Sequence, residues 1–132
     1  MTIALWVRRT DTDLTDEEVD RALTTVRADS LVEGHAEGLV VAGTLVRMTR
    51  VDGLPRPEGE DDDHAVRDWT NDPGRFRHLV LESALESGRP ALRFAGMRLA
   101  GEVGASLYDP AASRWLMVSE ATLADLRDDL TT

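Results

Sequence analysis

The pattern of apolar and polar residues predicts three helices, and capping signals mark where they begin. Thr15 and Glu18 form a capping box ahead of an apolar stripe with helical spacing. Asp72-Pro73 is typical of the start of a second helix, and Ser87-Gly88 is typical of its end. Ser119 is placed to cap the start of a third helix. The predicted helices span residues 15–28, 73–87 and 119–130.

Alternating or continuously apolar stretches predict the strands of a single sheet. Residues 2–8 alternate in polarity, and residues 38–51 are mostly apolar on both faces, as in a central strand. Residues 90–118 predict three more strands, turning near Ala95-Gly96 and over residues 109–112. The element order is β-α-β-α-β-β-β-α. We therefore predict an α+β fold with three helices and a mostly antiparallel mixed sheet of about five strands.

Length and composition narrow the picture further. The 132 residues predict one domain over 1–132, with a long acidic loop at about 52–72. The absence of cysteine excludes disulfides and thiolate chemistry. All fifteen basic residues are arginine, a bias typical of a GC-rich bacterial genome. The apolar start precedes its arginines and is short, so the sequence predicts no signal peptide, no membrane span and a cytoplasmic location.

The net charge of −10 disfavours nucleic-acid or anionic-membrane partners, which require a cationic surface. Residues 58–72 hold seven acidic residues and one arginine, including the unbroken run Glu60, Asp61, Asp62 and Asp63. That run lacks the spacing of a calcium loop, and His64 alone cannot hold zinc, so we predict neither a metal site nor a cofactor. Two interpretations stay open: a solvated loop, or a partner-facing loop with a neighbouring tryptophan as its anchor.

The histidines offer two further candidates for chemistry. In Glu33-Gly34-His35-Ala36-Glu37 an extended chain would align two carboxylates and an imidazole, but the glycines favour a turn that separates them. His78, Glu82 and Glu86 recur at helical spacing in the predicted second helix, away from its apolar stripe. That spacing predicts ordinary ion pairing on a helix surface.

Two arginines form the remaining candidate site. If Ala95-Gly96 is a two-residue turn, Arg93 lies directly opposite Arg98 on one sheet face. Opposed like charges are unfavourable unless an anion lies between them. The anion could be a carboxylate of this chain or a phosphate or carboxylate of a ligand or partner, since arginine suits each of these.

These observations lead to three functional hypotheses. The first is a non-enzymatic acidic binding protein that sequesters or inhibits a basic protein, as an immunity protein or antitoxin does. Its partner-facing residues would be Glu60, Asp61, Asp62, Asp63 and Trp69. The second is a small enzyme or ligand-binding domain that holds an anionic metabolite with Arg93 and Arg98. The third is a homodimeric accessory subunit of a larger assembly. We identify no catalytic residue.

Overall fold

The computed structural model describes residues 2–9, 12–51 and 74–131. Within them the chain forms nine strands and three α-helices, and a short 3-10 turn at Glu86–Gly88 leads into the second helix. The elements are β1 Ile3–Arg8, β2 Leu14–Thr15, α1 Asp16–Arg27, β3 Val32–His35, β4 Gly38–Val41, β5 Thr44–Val51, β6 Arg75–Phe76, β7 His78–Ser83, α2 Arg89–Val103, β8 Ser106–Asp109, β9 Arg114–Leu116 and α3 Glu120–Thr131.

Seven of these strands form one sheet in the order β3-β4-β5-β7-β1-β8-β9, and every neighbouring pair is antiparallel. The short strands β2 and β6 pair separately. Helix α2 packs across the large sheet, and α1 and α3 pack against α2. The predicted α+β fold, the number of helices and the mostly antiparallel sheet are confirmed. The sheet is wider than the five strands predicted.

The core lies between α2 and the sheet. Alternate residues of β1 and β7 point into it, so Leu5 pairs with Leu81 and Val7 with Leu79 across the two strands. Phe94 of α2 is fully buried in the same cluster. Because successive strand residues point to opposite faces, the other half of these side chains lies on the face away from α2.

Helices α1 and α3 confirm the capping predictions. The Thr15 hydroxyl accepts a hydrogen bond from the Glu18 backbone N–H at 3.2 Å. The Ser119 hydroxyl accepts one from the Thr122 N–H at the same distance. Such bonds satisfy amides that have no partner inside the helix. The predicted turn over residues 109–112 is confirmed as well, because it joins β8 to β9.

The predicted helix over residues 73–87 is wrong. Its described part forms β6 and β7, and β7 lies in the sheet between β5 and β1. From His78 to Leu81 consecutive residues are buried, which fits a strand covered on both faces and leaves no polar stripe for a helix. Gly88 does not end a helix there; it precedes the first residue of α2.

The three strands predicted over residues 90–118 are also wrong, because Arg89–Val103 is a helix followed by only two strands. Pro90 occupies its first turn, and Gly104 closes it in the left-handed conformation, with a φ of 64°. Most of α2 is buried, so its sequence lacks the polar face that identifies a surface helix. Gly96 is not a turn residue: a Cβ there would lie 2.8 Å from Leu107 Cδ1, so its absence lets α2 approach β8 closely.

The single strand predicted over residues 38–51 is two strands joined by a tight turn. Val41 pairs with Thr44, and the turn residues Ala42 and Gly43 have φ values of 48° and 83°. Positive φ at both positions is what a type I′ hairpin turn requires. The preceding strand β3, which no sequence pattern predicted, pairs with β4 to complete a three-stranded meander.

Candidate functional site

The acidic run Glu60–Asp63, His64 and Trp69 lie outside the described residues, as does the predicted loop 52–72. The partner-facing site therefore stays a prediction. What the described residues do show is how the remaining charges of the chain are arranged.

Acidic side chains near the start of α1 form ion pairs with arginines in or next to the strands of the sheet. Arg50 of β5 contacts both Asp16 and Asp20, at 3.0 Å in the second case. Arg9, directly after β1, pairs with Glu18. These carboxylates also lie at the positive end of the helix dipole. Their first role is therefore to fasten α1 to the sheet.

Further ion pairs occupy other exposed acids of the described ranges. Glu17 pairs with Arg21 at 3.0 Å, Glu37 with Arg47 at 3.0 Å and Glu86 with Arg89 at 3.3 Å. The described ranges hold sixteen acidic residues and thirteen arginines, a formal charge of −3. Residues 52–73 hold eight acidic residues and two arginines, a formal charge of −6. More than half of the net charge of −10 therefore lies in one segment.

The turn expected from the glycines separates only Glu37 from this group, because Glu33 and His35 lie two positions apart on the extended strand β3 and point to the same face. His35 ends β3 and its Nδ1 accepts a hydrogen bond from the Glu37 N–H at 3.0 Å, while the Glu37 carboxylate turns to Arg47. Among the described residues, no three His, Cys, Asp or Glu side chains gather closely enough to hold a metal ion. The histidine here shapes the turn between β3 and β4.

His78 does not lie on a helix surface, and its predicted pairing with Glu82 and Glu86 is wrong. It is fully buried on β7, with its Nε2 2.6 Å from Nη1 of Arg8, which is itself 6% exposed. A guanidinium can only donate, so Nε2 of His78 is the acceptor in this hydrogen bond. The side chains of Arg8 and His78 are therefore both buried and hydrogen-bonded to each other.

His78 also begins an aromatic row that crosses four adjacent strands on the face away from α2. Trp6 meets the His78 ring edge-on at a centroid distance of 5.2 Å, and Tyr108 lies 5.5 Å from Trp6. Trp115 follows, 4.9 Å from Tyr108. Aromatic pairs in these geometries stabilise beyond the area they bury. The signal that this row leaves in the sequence is the position of Trp6 between the core residues Leu5 and Val7.

Arg93 and Arg98 are not opposed across a hairpin, because both lie on α2. Five positions on a helix place them about 140° apart around its axis. The Nε of Arg98 lies 4.0 Å from Oδ2 of Asp29, just beyond the end of α1. Asp29 also accepts hydrogen bonds from the Arg127 guanidinium of α3, at 3.0 and 2.5 Å, and from the Leu31 N–H at 3.0 Å. Arg98 therefore belongs to a structural cluster that joins α1, α2 and α3.

The hydrogen bonds from Arg127 hold the pKa of Asp29 below its ordinary value near 3.8, against the opposing effect of burial. We expect Asp29→Asn to lower the free energy of unfolding by about 1 to 2 kcal/mol at neutral pH, a range that allows for the partial exposure of Arg127. A carboxylate whose pKa is lowered on folding stabilises the protein above its unfolded pKa and loses that effect as the pH falls through the folded value. The difference between wild type and variant should therefore shrink in urea unfolding below about pH 3.8.

Asp125→Asn is the matched control, because Asp125 is exposed and makes no ion pair with a described residue. It should leave stability nearly unchanged at both pH values. An Asp29→Asn deficit of the same size at pH 7 and pH 3 would contradict the assigned role of the Asp29 carboxylate.

Arg93 instead shares a pocket with Arg114 of β9. The pocket has a volume of about 200 Å³ and lies between α2, β9 and α3. The rest of its lining is mostly apolar: Met97, Leu116, Met117, Thr122 and Leu126. Neither arginine forms an ion pair or hydrogen bond with a described residue, and Nε of Arg93 is buried without a hydrogen-bond partner. We call this site the Arg93–Arg114 pocket.

Comparison with known proteins adds no family to this description. No protein-family model matches the chain, and no curated protein is significantly similar to it in sequence. Within the described ranges, no helix combines the length and the apolar composition that crossing a bilayer requires.

Proposed function

We propose that the protein acts by binding, and that it sequesters or inhibits a basic protein partner in the manner of an immunity protein or antitoxin. The observation that carries this proposal is the uneven placement of charge. Many acids of the described ranges are engaged by arginines of the same chain, while residues 52–73 carry a formal charge of −6. We further propose that the protein is bacterial and cytoplasmic, because arginine supplies all fifteen of its basic residues and cysteine is absent.

Internal pairing matters because a carboxylate already bound to an arginine attracts an external cation less strongly. Asp16 and Asp20 share Arg50, and Asp29 is bound by Arg127, so these acids add little to a long-range field. A segment with eight acids and two arginines creates a strongly negative region. Such a region speeds the encounter with a cationic surface and disfavours acidic competitors.

The roles of the two parts of the site follow from this electrostatic argument. Glu60 to Asp63 would act mainly on the rate of association, since charges at the rim of an interface steer encounter more than they hold a complex. Trp69 would act mainly on dissociation, because buried aromatic side chains supply much of the binding energy in protein interfaces.

The partner is sought first by affinity capture from the source organism, with a basic protein as the expected retained species. Association kinetics then test the mechanism. Neutralising Glu60 to Asp63 with Gln and Asn should slow association several-fold at low salt and have little effect at high salt. Trp69→Ala should accelerate dissociation and leave association nearly unchanged.

A control variant removes the same number of charges elsewhere. Four exposed acids of the described ranges make no ion pair there, so neutralising them preserves the fold: Glu33, Glu102, Glu120 and Asp125. This variant should associate faster than the variant that lacks the acidic run. If both variants associate equally slowly, the effect comes from net charge alone. If the variant without the acidic run associates at the wild-type rate, the proposal is refuted.

A further inference from the structure

Three described arginines, Arg27, Arg93 and Arg114, make no ion pair or hydrogen bond with a described residue. Two of the three line the same pocket. Arginines in this chain otherwise find carboxylates readily: Arg50 engages two, and Asp29 is approached by two arginines. An anion bound in this pocket would be attracted by both guanidinium groups.

We propose that the Arg93–Arg114 pocket binds a small carboxylate with a short apolar tail. The planar guanidinium fork matches a carboxylate with two parallel hydrogen bonds. The buried Nε of Arg93 adds a second observation, because buried donors in folded proteins are rarely left without a partner; the Nε of Arg98 also lacks a hydrogen bond but lies 4.0 Å from the Asp29 carboxylate. A bound carboxylate would give this N–H its acceptor.

The rest of the lining selects the tail. Met97, Leu116 and Leu126 form an apolar wall, and methionine side chains adapt to hydrocarbon of varied shape. Met117, which also lines the pocket, is 76% exposed, so a bound tail would cover apolar surface that now faces water.

The size of the pocket limits the ligand. Its volume of about 200 Å³ is smaller than the roughly 300 to 1,000 Å³ of sites for drug-sized ligands. A nucleotide or a long-chain lipid would extend well beyond a pocket of this volume. A carboxylic acid of about six carbons offers the right charge with a tail that the pocket can hold.

Hexanoate is a suitable probe, titrated into the full chain while backbone amide NMR signals are followed. We expect saturable shifts that centre on α2 near Arg93, on β9 and on α3 near Leu126. Acetate and inorganic phosphate carry the charge without the tail, and 1-hexanol carries the tail without the charge. Each should bind at least about tenfold more weakly than hexanoate, because each lacks half of the interactions.

Substitutions assign the binding to the two arginines. Arg93→Gln and Arg114→Gln should each weaken hexanoate binding about tenfold, through loss of charge-assisted hydrogen bonds. Arg27→Gln removes an equally unpaired arginine outside the pocket and should leave the affinity unchanged. Met117→Glu, at a largely exposed position, places a tethered carboxylate beside the arginines and should also weaken binding by competition.

Several outcomes would overturn the proposal. These are the absence of saturable shifts with hexanoate at millimolar concentration, shifts centred away from α2, β9 and α3, or equal weakening by Arg27→Gln. Phosphate or acetate binding as tightly as hexanoate would reject the apolar tail. Because the pocket and residues 52–73 are different parts of the chain, each of these results leaves the proposed binding of a basic partner intact.

Discussion

Leu81→Ala is expected to lower the free energy of unfolding by about 3 kcal/mol, because it empties a fully enclosed site. Leu81 is 0% exposed at the centre of β7, with Leu5 of β1 on one side and Met48 of β5 on the other. Strands on both sides and α2 above leave little freedom for the surroundings to collapse into the vacated space. Such rigidity places large-to-small substitutions toward the costly end of their range.

Leu85→Ala removes the same atoms four residues later and serves as the matched control. Leu85 is 65% exposed, so its truncation should cost less than about 0.5 kcal/mol. In a helix over residues 73–87 the two leucines would lie one turn apart on the same side and would respond alike. Urea unfolding of both variants separates the alternatives, and similar midpoints would contradict the strand assignment of β7.

Gly38→Ala is expected to cost about 3 kcal/mol or more, through a collision with the backbone. A Cβ at Gly38 would lie 2.2 Å from the carbonyl oxygen of Val46, and the φ of Gly38 is 156°. The colliding oxygen belongs to the neighbouring strand β5, so no side-chain rotation can relieve the overlap. Strands β4 and β5 would have to separate where Gly38 pairs with Arg47.

Gly43→Ala separates this collision from the general cost of replacing glycine. Gly43 lies in the same hairpin with a φ of 83°, and a Cβ there would meet no atom within 4 Å. Only the strain of the left-handed conformation remains, about 1 to 2 kcal/mol. Thermal unfolding should rank the Gly38 variant well below the Gly43 variant, and equal losses would show that contact with Val46 is not the cause.

Local information was sufficient for the helices whose ends carry their own signals. Thr15 and Ser119 cap α1 and α3 with hydrogen bonds to residues three positions away, which a sequence displays directly. It was insufficient where burial decides the structure. The residues of α2 from Ala95 to Met97 are all buried. The helix therefore lacks the alternation of apolar and polar faces by which a sequence reveals an amphipathic helix.

The dipeptide Ala-Gly has different structures at two places in the chain, so its sequence alone does not predict a turn. Ala42-Gly43 turns a hairpin, with positive φ at both residues, whereas Ala95-Gly96 lies inside α2 and gives β8 room to approach. The sequence predicts a turn at Ala95-Gly96 and a continuous strand through Ala42-Gly43. What separates the two pairs is the surrounding tertiary structure, which composition does not reveal.

Only one of the two arginines in the candidate pocket is predicted from the sequence as a site residue. The sequence predicts Arg93 as a site residue only through a hairpin that does not form, and the companion predicted with it, Arg98, instead lies 4.0 Å from Asp29. Arg114, which does share the pocket, is twenty-one residues from Arg93 on another element. Because the site is assembled from α2, β9 and α3, its residues are far apart in the sequence and form no recognisable motif.

The position of β1 has a consequence for the order in which the protein takes shape during synthesis. Ile3 pairs with Ser83 and Trp6 with Tyr108, so β1 is synthesised before both of the strands that it pairs with. At about 10 residues per second, roughly ten seconds pass between translation of Trp6 and of Tyr108. The meander over residues 32–51 needs only nearby chain and can form early, whereas the centre of the sheet closes last. During that interval the apolar residues of β1 lack their partners in the sheet, and exposed apolar segments of this kind are the ones that chaperones bind.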